Sequence, residues 1–491
     1  MSTPMSPLQP IGALRTFSDP EKAQIQQRLQ SDSKLQTLAG SLNTFLQASE
    51  YQLIQMMVAN KIWTPPPVPV DPGGNGSLEF GLVDYWLNNL APTSVQDFWK
   101  FIAGGLPATQ INATNLANLI TAVTPPNPGL VGNDGTIYGF AKYEQMDPNW
   151  TLCLSEYLAH YLLDDFADFG STPAQINAGS GSQISIALFG DWGTGNYPTG
   201  PASSVMNAIT ALNPDYIIHL GDVYYAGTGD EEQSNLLNMW PGSYQGKSFT
   251  LNSNHEMYDG AHGYFETALA NSIFSAQQQT SYFTINYGKW TILGLDSAYW
   301  STSPLIMNGS ICEAGSSEPG ANAQTQFIQN LGLTPENVIV LTHHNAIEYD
   351  GSKIVSDEFG NDLSQQVTNA LGGEPAAWYW GHVHNGIVYP NPTFTGNNSY
   401  YRCVGHGGIP FGTAWGLQQS PPTQVKAYAD TPNPGASPIR VMNGFTLLTI
   451  TASGQVTETF YDQDGKVTWV SPFTYQLGVP TQKAVAAGAS R

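Results

Sequence analysis

Apolar residues recur along this chain at two different periods, and the change from one to the other divides it. Ile25, Leu29, Leu35, Leu38, Leu42, Phe45, Leu53 and Met56 stand at near-helical intervals, which predicts one long or two shorter amphipathic helices. Ser18 and Glu21 have capping-box spacing and Pro20 falls in the first turn, so the helix is expected to begin there. The segment TPPPVPVDPGGNG, residues 64–76, interrupts the pattern with prolines and glycines and reads as a loop or stiff connector. Further helical material is expected over about 81–122. After the breaker TPPNPG, Asp147 and Pro148 introduce another helix, carrying Trp150, Leu154, Tyr157, Leu158, Tyr161, Leu162 and Phe166 and ending near Gly170. STPAQINAGSGSQ then reads as a boundary.

From Gln183 the period becomes two. In ISIALFGD, Ile184, Ile186 and Leu188 alternate among small residues, the pattern of a strand entering a buried sheet. DYIIHLGDVYY, KSFTLNSNHE, NVIVLTHH and AAWYWGHVH repeat the arrangement, and KWTILGLDS over 289–297 is a further strand. Crossover helices are expected over 202–212 and 322–332. Residues 444–470 alternate around turn signals at Ser453-Gly454 and Asp464-Gly465, which predicts antiparallel strands. The expected organisation is a mainly helical region over 1–180, an α/β catalytic domain over 181–465 and a peripheral tail over 466–491.

Each apolar run ends in residues able to bind an ion. They deliver Asp191; Asp222 and Tyr225; Asn254, His255 and Glu256; His343 and His344; and His382 and His384. In open α/β sheets ligands gather in the crevice beyond the carboxyl ends of the strands, so these groups should converge, and their chemistry suits a pair of metal ions. Asp191 or Asp222 alone would more often be a helix cap or turn residue; five such runs in order reverse that reading. Tyr224, beside Tyr225, could instead be the inward-facing tyrosine.

Composition narrows the partners. Sixteen Lys and Arg against 38 Asp and Glu leave a formal charge of -22 on 491 residues, which repels nucleic acids and anionic membranes at long range, so nucleic acid is excluded as the main partner. No apolar run approaches the length of a membrane span. The start lacks the basic and apolar regions of a signal peptide, which leaves the location open between cytoplasm and non-classical export. Cys153, Cys312 and Cys403 are odd in number and scattered, so neither a disulfide framework nor a cysteine metal site follows, although one bridge stays open. No chemistry stands out in the first 180 residues, which could cover the sheet, mediate assembly or bind a partner. There His160, among Leu and Tyr, reads as a core or interface histidine. His262 and His406, in glycine-rich loops, are candidates for facing a substrate, with loop packing the competing reading.

GDWG, GDVYY, SNHE, VLTH and GHVH, in this order, resemble the five motifs of the calcineurin-like metallophosphoesterase superfamily, over residues 183–463. The resemblance implies a β-sandwich flanked by helices that hydrolyses phosphoric esters at a dinuclear metal centre. Most members carry Asp-x-His in the first motif; here Gly193 takes the histidine's place, and Tyr225 follows Asp222 by three residues, as in the purple acid phosphatase branch. Carried over residue by residue, Asp191, Asp222, Tyr225 and His384 would hold one ion, and Asp222, Asn254, His343 and His382 the other. Hard oxygen ligands favour Fe(III) in the first position, while the second suits Fe, Zn or Mn as a divalent ion. The implied reaction is in-line attack on phosphorus by a metal-activated hydroxide. His255 would contact the phosphate or protonate the leaving oxygen, and His344 is a weaker candidate for that work. Lys247, Lys289, Lys353, Arg402, Lys426 and Arg440 are the few cations available, so the metals should carry most of the phosphate neutralisation. The expected activity is that of a phosphomonoesterase. The alternatives are a phosphodiesterase acting on nucleotides or lipid head groups, and a non-catalytic scaffold of the same fold.

Overall fold

The alternation along the period-two runs is resolved by burial between two sheets. The computed structural model describes residues 17–62, 80–83, 86, 96, 113–123, 130–170, 172–197, 200–313, 315–356, 362–391, 399–434 and 440–471. The first two strands, β1 (Leu130–Val131) and β2 (Ile137–Tyr138), form a separate two-stranded ribbon. One sheet has six strands, in the order β16-β15-β14-β4-β5-β6. They are β4 (Gln183–Phe189), β5 (Tyr216–His219), β6 (Lys247–Thr250), β14 (Gly444–Thr451), β15 (Val456–Asp462) and β16 (Val467–Val470). The other has eight, in the order β13-β11-β12-β10-β9-β8-β7-β3. Its members are β3 (Ala174–Asn177), β7 (Phe283–Tyr287), β8 (Trp290–Gly294), β9 (Val338–Thr342), β10 (Ala377–Trp380), β11 (Gly386–Val388), β12 (Tyr400–Val404) and β13 (Ala427–Tyr428).

Ile184, Ile186 and Leu188 face Phe283, Ile285, Ile339 and Leu341 in a core between the sheets. Their neighbours Ala187 and Phe189 turn outward to Val205, Met206 and Ile209 of the helix Ala202–Leu212. On the far side Val338, Val340, Trp378 and Trp380 pack under the helices Ala323–Leu331 and Leu363–Leu371. The result is a mixed α/β sandwich with helices on both outer faces. A buried ion pair lies between the sheets: Arg402 of β12 meets Glu458 of β15 at 2.6 Å, and Tyr379 donates to the same carboxylate at 2.6 Å.

β4, β5 and β6 run parallel, as do β8, β9, β10 and β12, so their carboxyl ends emerge together within each sheet. β14, β15 and β16 are antiparallel, with Gly454 and Gly465 in the turns. The segment read as a boundary contains β3, which pairs in parallel with β7 as an edge strand. A four-residue edge strand whose partner lies a hundred residues away leaves almost no local pattern.

In the N-terminal region the periodic stretch forms two helices, Asp19–Ser31 and Ser33–Ala59, separated at Asp32, whose backbone is extended. Ser18 and Glu21 close the capping box. The helix begun after Asp147 and Pro148 runs over Trp150–Leu163 and stops short of Gly170, because Asp164 adopts a left-handed conformation. A further helix covers Ala113–Val123. The expected loop over 64–76 and the tail beyond 471 lie outside the described residues. Cys153, Cys312 and Cys403 form no disulfide with one another. Among the described residues no helix is long and apolar enough to cross a membrane.

Candidate metal centre

Asp191, Asp222, Asn254, His343, His382 and His384 each follow a buried strand, and the structure brings them together at the carboxyl ends of β4, β5, β6, β9 and β10. Asp191, Asp222 and His382 all have positive φ, of 56°, 77° and 61°. Three non-glycine residues held in the left-handed region cost of order 1–3 kcal/mol each, a strain that concentrates at functional sites.

In one group of donors His343 Nε2 lies 2.9 Å from Asn254 Oδ1, 3.2 Å from His382 Nδ1 and 3.2 Å from Asp222 Oδ1. The other nitrogens of these rings are taken by carbonyls: His343 Nδ1 donates to Leu220 O at 2.8 Å, and His382 Nε2 donates to Met307 O at 3.1 Å. Asn254 turns its amide nitrogen to Tyr258 Oη. The groups pointing inward are therefore lone pairs: two imidazole nitrogens, an amide oxygen and a carboxylate oxygen. Such a set is mutually repulsive unless a cation lies among it, and its neutral nitrogen and oxygen donors fit a divalent ion.

The second group shares Asp222. Tyr224 Oη is 2.9 Å from Asp222 Oδ2, 3.4 Å from Asp191 Oδ1 and 3.3 Å from His384 Nε2, while His384 Nε2 lies 3.4 Å from Asp191 Oδ1. Tyr225, expected here, points elsewhere: its hydroxyl donates to Asp147 Oδ2 at 2.5 Å, under Tyr143 and Trp150. Tyr224 thus occupies the position assigned to its neighbour. The same contact explains Gly193. A Cβ there would lie 2.5 Å from Asp222 O and 2.6 Å from Val223 Cα, and Tyr224 N donates to Gly193 O at 2.9 Å. The two loops touch where a histidine would need room. Gly221, at φ 97°, is crowded similarly against Ser253 and His343.

Charge is unevenly distributed over the cluster. Burial and the neighbouring Asp222 push Asp191 well above the carboxylate range. Burial opposes ionisation of Asp222 too, but His343, His255, the Ser253 hydroxyl and His382 outweigh it and hold that carboxyl low. Burial lowers His343 to about 3 and His384 to about 4, so these imidazoles are neutral near neutral pH. Tyr224 is raised well above a free phenol by burial and by Asp222 and Asp191. A bound cation reverses this balance, favouring carboxylate and phenolate.

Ser253 caps the short helix Asn254–Met257 by accepting from His255 N and donates to Asp222 Oδ1 at 2.5 Å. Glu256 is buried beside it and accepts from Asp222 N, an orienting contact. His255 places Nδ1 2.5 Å from Tyr225 O and Nε2 3.9 Å from Asp222 Oδ2, and it lines the cleft.

The other histidines are not part of this group. Both nitrogens of His344 are engaged, by Ser297 Oγ at 2.9 Å and Ile306 O at 2.7 Å, and its ring is buried behind His382, so it braces the Pro304–Ile306 turn instead of facing the cleft. His262 pairs with Glu266 and Asp165 away from the cleft. His406 is buried against Gly386 and Gly444 beside a separate recess. Arg402 and Arg440 are committed to Glu458 and Glu144, which leaves Lys353 as the cation lining the cleft among the described residues.

The cleft has a volume of about 630 Å³ and is walled on one side by Ser41, Thr44, Phe45, Asp134, Gln145 and Trp150. The helical region therefore covers the sheet ends. Its Asp147, read from sequence only as a helix start, fixes Tyr225.

Residues 184–386 match the family described as calcineurin-like phosphoesterase, and every one of the convergent residues falls within that span. The chain carries a calcineurin-like phosphoesterase domain. No curated protein matches the sequence. Among solved structures, the phosphoesterase domain brings a likeness to a purple acid phosphatase from yellow lupin (Lupinus luteus) seeds. That likeness has 17% identity and a TM-score of 0.38, covering 59% of this chain and 53% of that one. The chain thus spans about half of the lupin protein's length. The phosphopantetheinyl hydrolase of Mycobacterium tuberculosis is similar at 14% identity and a TM-score of 0.30, over 52% of this chain and 99% of that one.

Proposed function

We propose that this chain is a metal-dependent phosphoric ester hydrolase acting on phosphomonoesters, in the manner of a purple acid phosphatase. The observation that carries the reading is the inward convergence of lone pairs from His343, His382, Asn254 and Asp222, with a second donor group joined to it through Asp222. Asp191, Asp222, Tyr224 and His384 would hold one ion, and Asp222, Asn254, His343 and His382 the other. The phenol between two carboxylates favours Fe(III) at the first position, and the amide and imidazoles suit Fe, Zn or Mn(II) at the second. When bound, such a pair supplies an activated water and neutralises phosphate oxygens.

The chain's own groups supply the remainder. Tyr225 O accepts from His255 Nδ1 and fixes the ring, so Nε2 faces the cleft, where it can hold a proton and deliver it to the leaving oxygen. Ser253 orients Asp222, and the Leu220 and Met307 carbonyls fix the tautomers of His343 and His382. Phe45 and Trp150 give the leaving group an apolar wall.

Metal analysis and a visible spectrum of the purified chain test this, with p-nitrophenyl phosphate and its bis ester as substrates. We expect about two ions per chain, at least one of them iron. A charge-transfer band should vanish in Tyr224→Phe and persist in Tyr225→Phe. Faster turnover of the bis ester would replace the monoesterase by a diesterase. Absence of metal and of turnover after reconstitution would sink the hydrolase reading and leave a scaffold.

A further inference from the structure

A second cluster of ligand-type side chains lies outside the cleft, where the helix Trp150–Leu163 meets the loop that follows Asn254–Met257. We propose that Glu156, His160 and Asp259 form an additional binding site for a divalent metal ion, independent of the catalytic centre.

Glu156 and His160 are one turn apart on the helix and so project side by side. His160 is 5% exposed. Its Nε2 faces Glu156 Oε2 at 3.8 Å and Asp259 Oδ1 at 3.4 Å, and the three atoms lie within 4.8 Å of one another. These separations exceed the about 2.7–2.9 Å of a charge-assisted hydrogen bond. The 3.4 Å separation equals the edge of about 3.4 Å that results when donors sit about 2.1 Å from a tetrahedral ion, and the 3.8 Å one is slightly wider.

The surroundings set the donors. His160 Nδ1 lies 3.0 Å from Asp165 O and donates to it, which turns Nε2 between the two carboxylates, where it would offer its lone pair to an ion. Asp259 Oδ2 accepts from Gly263 N at 2.8 Å, which turns Oδ1 toward His160. Gly260, at φ 61°, brings the loop so close that a Cβ would lie 2.3 Å from Asp165 O, and Ala167 N closes the contact by donating to Gly260 O. His262 stands at the border of the cluster, with Nε2 3.3 Å from Asp165 Oδ1 and Nδ1 2.9 Å from Glu266 Oε1. One imidazole and two carboxylates, with no thiolate, suit zinc or manganese. An ion there would clamp the N-terminal helix to the loop carrying Asn254 and His255.

The rival occupant is a proton on His160, and dialysis separates the two. The chelator-stripped full-length chain is dialysed against Zn(II) or Mn(II) and its metal counted beside Asp259→Asn, Glu156→Gln and His160→Gln. The expected result is one ion fewer per chain in each variant, whatever the filling of the catalytic centre. Metal should also raise the melting temperature of the wild type by about 3 °C more than that of Glu156→Gln. Equal stoichiometry in wild type and in both carboxylate variants would overturn the site, including the case where only the pH dependence of melting changes. Glu156→Gln, altered at a partly exposed residue, keeps the test decisive if His160→Gln does not fold.

Discussion

The strand ends and the helical cover meet at one cleft and bring different things to it. The strand ends supply nearly all of the candidate ion-binding groups, on parallel strands whose core neighbours are fully buried, and three of those residues hold a strained backbone. The cover supplies shape and support: Phe45 and Trp150 as wall, and Asp147 to hold Tyr225 away from the centre. On the proposed function, chemistry that needs donors fixed to a few tenths of an ångström would rest on the sheets, and substrate fit on helices that line the cleft.

The largest blow to the strand-end half is Asp222→Ala. It removes the residue shared by both donor groups and should abolish binding of both ions and lower turnover about a thousandfold or more, as read by metal analysis and kcat. Full turnover in this variant would break the bimetal reading. His255→Ala should keep its metal and lose about a hundredfold in kcat, because only the proton carrier is gone. Crossing to the cover, Tyr225→Phe leaves Asp147 Oδ2 with one donor fewer in a buried site. It should cost about 1–3 kcal/mol in denaturant unfolding with the metal retained.

Acid should act through buried histidines outside the centre. His219 and His406 are each lowered by burial to about 3, against 6.5 when free. Between those values the unfolded chain binds protons that the folded chain does not. Stability is therefore full above pH 6.5 and is lost as pH falls toward 3, by up to about 3 kcal/mol per histidine between pH 6.5 and 4.5. Thermal melting across that range should show the slope, and His406→Phe should flatten it. The smallest effect belongs to the rim of the cover: Ser41→Trp should raise KM for bulky aryl phosphates by about tenfold or less and leave kcat near wild type. A large fall in kcat would show that the cover does more than shape the cleft.

Much of this was readable in advance where local pattern and burial agree. The crossover helices, the strands before each motif and the antiparallel finish follow from periods of 3.6 and two, and the ends of those strands place the ligand-type residues at one rim. The misreadings share a cause. β3 was hidden because edge pairing with β7 is remote in sequence. Arg402 and Arg440 looked available to phosphate until the fold paired them with Glu458 and Glu144. His160 is buried at an interface, as read, but its contacts with Asp165 and Asp259 arise only through the folded loops.

By itself the sequence determined the strands before each motif, the crossover helices, the acidic charge and the ligand-type residues that end those strands, because these depend on periodicity and on what ends each apolar run. Tertiary structure alone decided which of two adjacent tyrosines enters the centre, which histidines retain an unshared lone pair, and what the first third of the chain covers. The physical reason is the same in each case. Tyr224 and Tyr225 lie in a turn whose facing is set by the contacts each makes, and a ring nitrogen or an aspartate acquires its role only when a carbonyl, a hydroxyl or a second carboxylate from a distant segment arrives within about 3 Å.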